Sequence, residues 1–552
     1  MPRFGKTACR RKAREWMIDM KILYYSGYLR NRSSLCRDLA VPALIERRQQ
    51  DMLLIERAWQ KWGKGFCSRL YGDFAIVLEE KDHILLFRDY FGIEPLYYAE
   101  KNGKLFFSGS VSELLSRSVV SGAFNEQMMR VFFLYGHAIG EDTFYREVYK
   151  LLPGHLLVWN ISTSSVEEKR AWFTPDFDPV DIHQATYWAD RIRKTLQEIF
   201  EDEKENIRRN KTGSFLSSGV DSSYMLALTE ISRAYCAAYD PRKYMTEAPD
   251  ARATAGYLQR DFHEVRVDAA DFAEAFEAVT AAQDQPSSNG SLPAFYLACQ
   301  EAAKENTLMF SGEGPDEFFA GYKSHDQAEA IASDRLQPYL GCGQMITRDQ
   351  YEMLMKCPLP AMPDVHKRLC DDTANSAPLS RMLRTDIALF LEGDTLSYMA
   401  LMKEMTGLEI SLPFLDSRFF ALASIVPDDM KCRPLSGAAD EREQEAGNKY
   451  VFRLAAIEKL PQRTAFRKKI GFFAPVSKML TAPELRVRVE SLIFGALSRQ
   501  FFRQEYLQSA WQSLCSGETD FWCVIYPVFS FLAWYEKHFD PSGKPIITGQ
   551  LP

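Results

Sequence analysis

A chain of 552 residues is longer than one hydrophobic core ordinarily spans, so two or more domains are expected. Its 46% hydrophobic and 26% charged residues have the balance of a soluble globular protein, and its net charge of −7 argues against a general nucleic-acid-binding surface. Eleven scattered cysteines show no paired close spacing and no zinc pattern, and with no long apolar run and no secretory segment they read as reduced thiols of a cytoplasmic, non-membrane protein.

The chain opens on a basic stretch, Arg3, Lys6, Arg10, Arg11, Lys12 and Arg14, with no apolar run after it, so it is not read as a secretion signal. Strand-like runs at Phe74 to Leu78 and His83 to Arg88 flank a polar turn. Leu96 to Ala99 is predicted to pair with Leu105 to Ser108 across Asn102-Gly103, which gives this half an antiparallel character. After Trp159 the pattern loosens into Asn160-Ile161-Ser162-Thr163-Ser164-Ser165, and a linker is expected up to about His183. Trp188, Ile192, Leu196, Ile199 and Phe200 recur at helical spacing. A strand at Thr212 to Leu216, a serine- and glycine-rich turn and a helix starting near Ser222 follow. Thr307 to Phe310 reads as a buried strand running into a loop dense in carboxylates, Ser311 to Glu317. The rest alternates strands with helices and ends in a long helical region. Gly437 to Asn448 reads as a solvated surface loop.

The turn Ser217-Ser218-Gly219-Val220-Asp221-Ser222 is built to bind polyphosphate: backbone N–H groups and a helix N-terminus converge on one anion, and Asp221 adds a hard oxygen ligand suited to magnesium. Alone, this segment also fits an ordinary serine-capped turn, and the second loop alone fits a solvated turn. Together they favour a site, because ligands of an open parallel sheet sit beyond the carboxyl ends of adjacent strands.

The turn resembles the pyrophosphate loop of the asparagine synthetases, and Ser311 to Tyr322 resembles their second nucleotide loop. Gly72-Asp73-Phe74-Ala75, Arg88 to Tyr98 and Leu152-Pro153-Gly154-His155 resemble parts of that family's amino-terminal half. Leu412-Pro413-Phe414-Leu415-Asp416 and Arg467 to Phe472 resemble late stretches of its synthetase half. The resemblance implies an α/β plus α+β protein in two parts. Residues 1–165 would be an antiparallel Ntn-hydrolase-like domain, a degenerate type 2 glutamine amidotransferase. Residues 186–545 would be a parallel-sheet synthetase domain of the PP-loop ATP pyrophosphatase type. The expected cofactors are ATP and Mg2+, and the expected partners are small molecules, with a homodimer compatible. A substrate carboxylate, aspartate in the family, attacks the α-phosphorus of ATP, and ammonia then attacks the acyl adenylate. Ser217, Ser218, Gly219 and Ser222 are assigned to pyrophosphate, and Asp221 with Asp316 to magnesium. Leu216 and Ala237 are assigned to the adenine site, and Ser311 with Gly312 to backbone contacts with the nucleotide. Lys469, with Lys468 as its rival, would stabilise charge at the α-phosphate, and Glu313 would accept a proton in amide formation. Asp284 to Asn289 resembles the loop near the acceptor amino acid, with Gln285 and Asn289 where acids often stand.

The departures concern the glutaminase. Pro2 stands where those enzymes carry the nucleophilic cysteine, and Cys9 lies in a basic stretch with no signal that frees its amine. Ser26-Gly27 replaces the asparagine-glycine oxyanion element. Asp51 matches an aspartate that holds glutamine's amino group, but Leu53 replaces that motif's glutamate. Without nucleophile, base and oxyanion donor no hydrolysis is expected, unless the true start lies upstream. Ser218 replaces a glycine, implying strain if a positive φ is needed, and Pro315 removes a backbone donor. Besides an ammonia-using amidoligase, two readings stay open: an intramolecular amide-forming enzyme like the lasso-peptide cyclases and β-lactam synthetases, or a non-catalytic partner subunit.

Overall fold

The computed structural model describes residues 20–42, 46–117, 120–333, 339–433, 447–468 and 474–546. Thirteen strands form three sheets among these residues. The amino-terminal part contains β1 (Met20–Leu29), β2 (Gly72–Glu80), β3 (His83–Arg88), β4 (Tyr97–Lys101), β5 (Lys104–Ser108), β6 (Tyr149–Lys150), β7 (His155–Asn160) and β8 (Ser165–Ala171). They make a five-stranded antiparallel sheet in the order β1-β2-β3-β7-β8 and a three-stranded one in the order β5-β4-β6. The predicted hairpin closes Tyr97 against Ser108, with Asn102 and Gly103 both at positive φ (51° and 71°), the geometry a two-residue turn needs to match strand twist. The expected loosening after Trp159 is corrected: only a short turn separates β7 from β8, which pairs along its length with β7. Its residues are nearly all exposed and polar, as suits an edge strand, so no apolar alternation marks it.

The second part is a five-stranded sheet, entirely parallel, in the order β11-β10-β9-β12-β13. Its strands are β9 (Thr212–Phe215), β10 (Arg233–Ala238), β11 (Asp261–Arg266), β12 (Leu308–Phe310) and β13 (Glu409–Ser411). Crossovers between parallel strands must pass over the sheet, and helices such as α1 (Ala185–Arg209), α2 (Val220–Ala227) and α3 (Leu292–Ala303) cover its faces. The amphipathic pattern predicted from Trp188 onward is α1, which buries Trp188, Ile192, Leu196, Ile199 and Phe200. The carboxyl-terminal helices α4 (Tyr450–Ala456) and α5 (Trp522–His538) extend this core, and the latter is buried along most of its length. No helix among the described residues is long and apolar enough to cross a membrane.

The two parts meet in one large apolar cluster, while two smaller clusters belong to the amino-terminal part alone. Phe91, just after β3, lies with its ring centroid 5.4 Å from Phe318 and 5.8 Å from Phe420.

Candidate active site

Because β9 and β12 are adjacent and parallel, with Leu308 opposite Thr212 and Phe310 opposite Ser214, the loops after them leave the sheet side by side. Their contact is backbone to backbone. A Cβ on Gly312 would stand 2.9 Å from the amide nitrogen of Ser222 and 3.2 Å from the carbonyl carbon of Asp221, so the absent side chain lets the loops meet. They share a cavity of about 1180 Å³. From the first loop Leu216, Ser217, Asp221 and Ser222 face it; from the second, Ser311, Gly312, Glu313 and Asp316; and Ala237 joins from the end of β10.

Helix α2 starts at Val220, earlier than the sequence suggested, so Asp221 and Ser222 sit in its first turn, where the helix dipole favours negative charge. The Ser222 hydroxyl accepts the Ser217 N–H (3.0 Å) and lies 2.9 Å from the Ser217 hydroxyl, whose oxygen accepts the Gly219 N–H at 3.1 Å. Ser218 and Gly219, also assigned to pyrophosphate, are not among the residues that line the cavity. Ser218 is buried, and both its N–H and its hydroxyl donate to Glu247 Oε2 at 3.0 Å. Ser218 has no positive φ, so the expected strain is absent. Pro315 opens a helical turn, a position whose N–H makes no intrahelical bond, so nothing is lost there.

A residue that sequence reasoning missed holds the loops together. Lys449 Nζ lies 2.6 Å from Asp221 Oδ2 and 2.7 Å from Asp316 Oδ1, and its side chain is 1% exposed. Gly321 makes room for it: a Cβ there would fall 1.8 Å from Asp316 Oδ1 and 2.2 Å from Lys449 Cε. Lys449 adopts the left-handed conformation (φ 54°) at the start of α4, and its N–H donates to the Phe319 carbonyl. Its signal in the sequence is slight, since it directly follows the segment read as a solvated loop; residues 437–446 of that segment lie outside the described residues. Lys469 lies outside them as well, whereas Lys468 lines the cavity.

The two carboxylates fit a hard divalent cation. They are buried, they face each other across a single ammonium, and Asp221 Oδ1 is a buried atom without a hydrogen-bond partner. Glu313 accepts a hydrogen bond from the Ser311 hydroxyl (3.2 Å) while facing the cavity. Glu317 points away and accepts from Tyr322 (2.6 Å); burial, with Asp316 and Glu313 nearby, raises its pKa well above the usual carboxylate range.

The acceptor loop divides. Asp284 accepts from the N–H groups of Val111 and Ser112, and Gln285 from the N–H of Phe144, so both serve the junction with the amino-terminal part and not the cavity. Asn289 does line the cavity, donating to Asp394 at 2.8 Å. Asp394, unforeseen from the sequence, is pushed up to about 6 by burial. It belongs to a π-helix at Asp386–Leu396, a form often found at functional sites. His137, from the amino-terminal part, also lines the cavity, and burial pushes it down to about 4, so it is neutral near pH 7.

In the amidotransferase-like part, Asp51 is occupied by its own chain: Arg32 Nε donates to it at 2.6 Å and the Tyr25 hydroxyl at 2.9 Å, all buried. The Ser26 hydroxyl donates to Glu94.

An antiparallel unit joined to a parallel-sheet unit, with two strand-ending loops converging on one cavity, is the layout of an ATP-dependent amide-forming ligase, and the comparisons with known proteins agree. Residues 192–536 match the asparagine synthase family model and residues 16–172 that of the glutamine amidotransferase domain. The chain therefore belongs to the asparagine synthase family, as a ligase that forms AMP and pyrophosphate. It is 22% identical over 569 aligned positions to the glutamine-hydrolyzing asparagine synthetase 1 of Bacillus subtilis strain 168, covering 95% of this chain and 86% of that one. A putative glutamine-hydrolyzing asparagine synthetase of Mycobacterium bovis is 25% identical, over 85% of this chain and 77% of its own. The amidase chyE of Penicillium rubens is 26% identical, over 49% of this chain and 43% of its own.

Proposed function

We propose that the chain adenylates the side-chain carboxylate of aspartate with ATP and passes the acyl group to free ammonia, giving asparagine, AMP and pyrophosphate. The observation that carries this reading is the Asp221–Lys449–Asp316 bridge at the meeting of two strand-ending loops, beside a cavity that also receives Glu313. The unit performing it is taken as a PP-loop ATP pyrophosphatase domain at 186–545. Residues 1–165 are taken as a degenerate amidotransferase-like domain, to which β8 adds the stretch to Ala171.

Ser217, Ser222 and the first turn of α2 would hold the β- and γ-phosphates, with the adenine against Leu216 and Ala237 and the nucleotide backed by Ser311 and Gly312. Asp221 and Asp316 would hold magnesium, which when bound makes pyrophosphate a better leaving group. A carboxylate oxygen attacks the α-phosphorus, and the bond to the bridging oxygen breaks toward pyrophosphate. The Lys449 ammonium, fixed by both carboxylates, supplies positive charge where negative charge develops, the role first assigned to Lys469. Ammonia then attacks the acyl carbon, Glu313 takes its proton, and AMP departs.

Glutamine is not the nitrogen source in this reading. The buried contacts of Asp51 with Arg32 and Tyr25 fill the place of a substrate ammonium. One observation favours a second reading, amide closure within a larger substrate: the cavity exceeds the roughly 300–1,000 Å³ usual for small-ligand sites. The purified protein with ATP, magnesium and aspartate is expected to release pyrophosphate and form asparagine with ammonium, and not with glutamine. Pyrophosphate release only with a larger amine-bearing carboxylate would select the second reading, and silence with every substrate would leave a non-catalytic subunit.

A further inference from the structure

Strand β1 and the residue that follows it send two buried polar side chains, Tyr28 and Arg30, into the synthetase half. The Tyr28 hydroxyl, fully buried, donates to Glu203 Oε2 at 2.6 Å. The other oxygen of Glu203 accepts from the Ser411 hydroxyl at 2.8 Å. Ser411 ends β13, and its carbonyl accepts the N–H of Ser311 at 3.0 Å. Ser311 in turn donates its hydroxyl to Glu313. A run of hydrogen bonds thus leads from the amidotransferase-like strand to the proposed proton acceptor.

Arg30 makes the second connection. Its Nη1 donates to the carbonyl of Leu412 (3.2 Å) and its Nη2 to that of Leu415 (3.1 Å), with the Asp73 carboxyl at 3.3 Å and the Asp416 carboxylate, its counter-charge, at 3.5 Å. Leu415 closes on the nucleotide loop from the other side: a Cβ on Gly314 would meet Leu415 Cδ2 at 2.6 Å, and Gly314 holds φ at 113°. The two connections therefore reach Ser311 and Gly314, the residues flanking the Gly312-Glu313 pair.

The geometry points to Tyr28 and Arg30 as positioning residues of the synthetase reaction, through which the amidotransferase-like half braces the loop carrying Glu313 and Asp316. This rests on the function proposed above for that loop. Both Nη atoms of Arg30 and both oxygens of Glu203 are hydrogen-bonded, while Arg30 Nε faces the Asp416 carboxylate at 3.5 Å without a hydrogen bond, so losing either set would leave a buried charge unmatched. The 412–415 turn and Glu203 are consequently fixed in one arrangement, and the loop between them inherits that rigidity. Whatever the nitrogen source, the amidotransferase-like half would be required for turnover.

The test uses the full-length protein with Tyr28→Phe, Arg30→Lys and, as a control in the same half, Tyr98→Phe, whose ring packs on Tyr149. Amide hydrogen exchange of peptides spanning 311–317 and 217–222 is read with and without ATP and magnesium, beside pyrophosphate release with ATP and aspartate. Tyr28→Phe and Arg30→Lys are expected to speed exchange in 311–317 by about tenfold, the scale of one buried hydrogen bond, while leaving 217–222 and the β2–β3 hairpin unchanged. They should lower kcat by a similar factor with the KM for ATP within about twofold, and Tyr98→Phe should do neither. Exchange in 311–317 equal to wild type, or a uniform rise across all peptides, would overturn the brace. If the wild type turns over no aspartate, the exchange data alone still decide the brace, and the failure belongs to the substrate assignment.

Discussion

Replacing Lys449 by methionine keeps much of the side chain's bulk and removes its charge, leaving Asp221 and Asp316 facing each other in a buried site. Both oxygens touch the same ammonium, at 2.6 and 2.7 Å, so they can be no more than about 5 Å apart. At an effective dielectric near 20 their repulsion is about 3 kcal/mol, which agrees with the roughly 3–5 kcal/mol lost when one partner of a buried ion pair is removed. The variant should therefore unfold at lower urea concentration in EDTA, and millimolar magnesium should restore much of the difference, because a divalent cation can take the place of the ammonium between the carboxylates. Magnesium should stabilise the wild type less. Pyrophosphate release should nevertheless stay about 10²–10³-fold below wild type at saturating magnesium, the usual cost of removing one preorganised electrostatic group. A Lys449→Met protein with wild-type stability in EDTA, or with wild-type turnover, would refute the reasoning.

Gly312→Ala should separate the two loops, since the new methyl meets backbone atoms of Asp221 and Ser222 that have no rotamer to yield; the expected result is a KM for ATP raised at least tenfold, with the folded state retained by circular dichroism. Gly321→Ala should displace Lys449 from Asp316 and so reproduce the magnesium-dependent stability of Lys449→Met, a match that urea titration with and without magnesium would check. Asp73, where burial outweighs the neighbouring Arg30, is raised from 3.8 to about 8, so the native chain holds a proton there that the unfolded chain releases above its ordinary value. This contribution to stability is complete below pH 3.8 and is lost as pH rises to about 8; Asp73→Asn should flatten that fall, measured as urea midpoints at pH 5, 7 and 9.

The parts of the site legible in the sequence were those whose chemistry is local. Ser217 to Ser222 and Ser311 to Asp316 each follow a short strand, and either alone fits an ordinary turn, but two such loops at the ends of adjacent parallel strands open on one cavity. Local reasoning stopped at three points, each for its own reason. Among several hydroxyls in one turn, composition cannot say which faces the ligand, and Ser218 is claimed by Glu247, distant by 29 residues. Edge strand β8 carries no apolar alternation, so its pairing with β7 was written only in the partner's sequence. Lys449 gains its meaning from Asp221, 228 residues earlier, and from the missing side chain of Gly321; neither is near it in the chain, and a lysine just after a polar segment looks solvated. The same holds for Tyr28 and Arg30. Nothing near them in the chain marks them, and only the fold, by setting the end of β1 against the 411–416 turn, turns them toward the 311–316 loop. The long-range contacts left out of any local reading are thus the ones that join the two halves, and the reaction proposed for this chain depends on them.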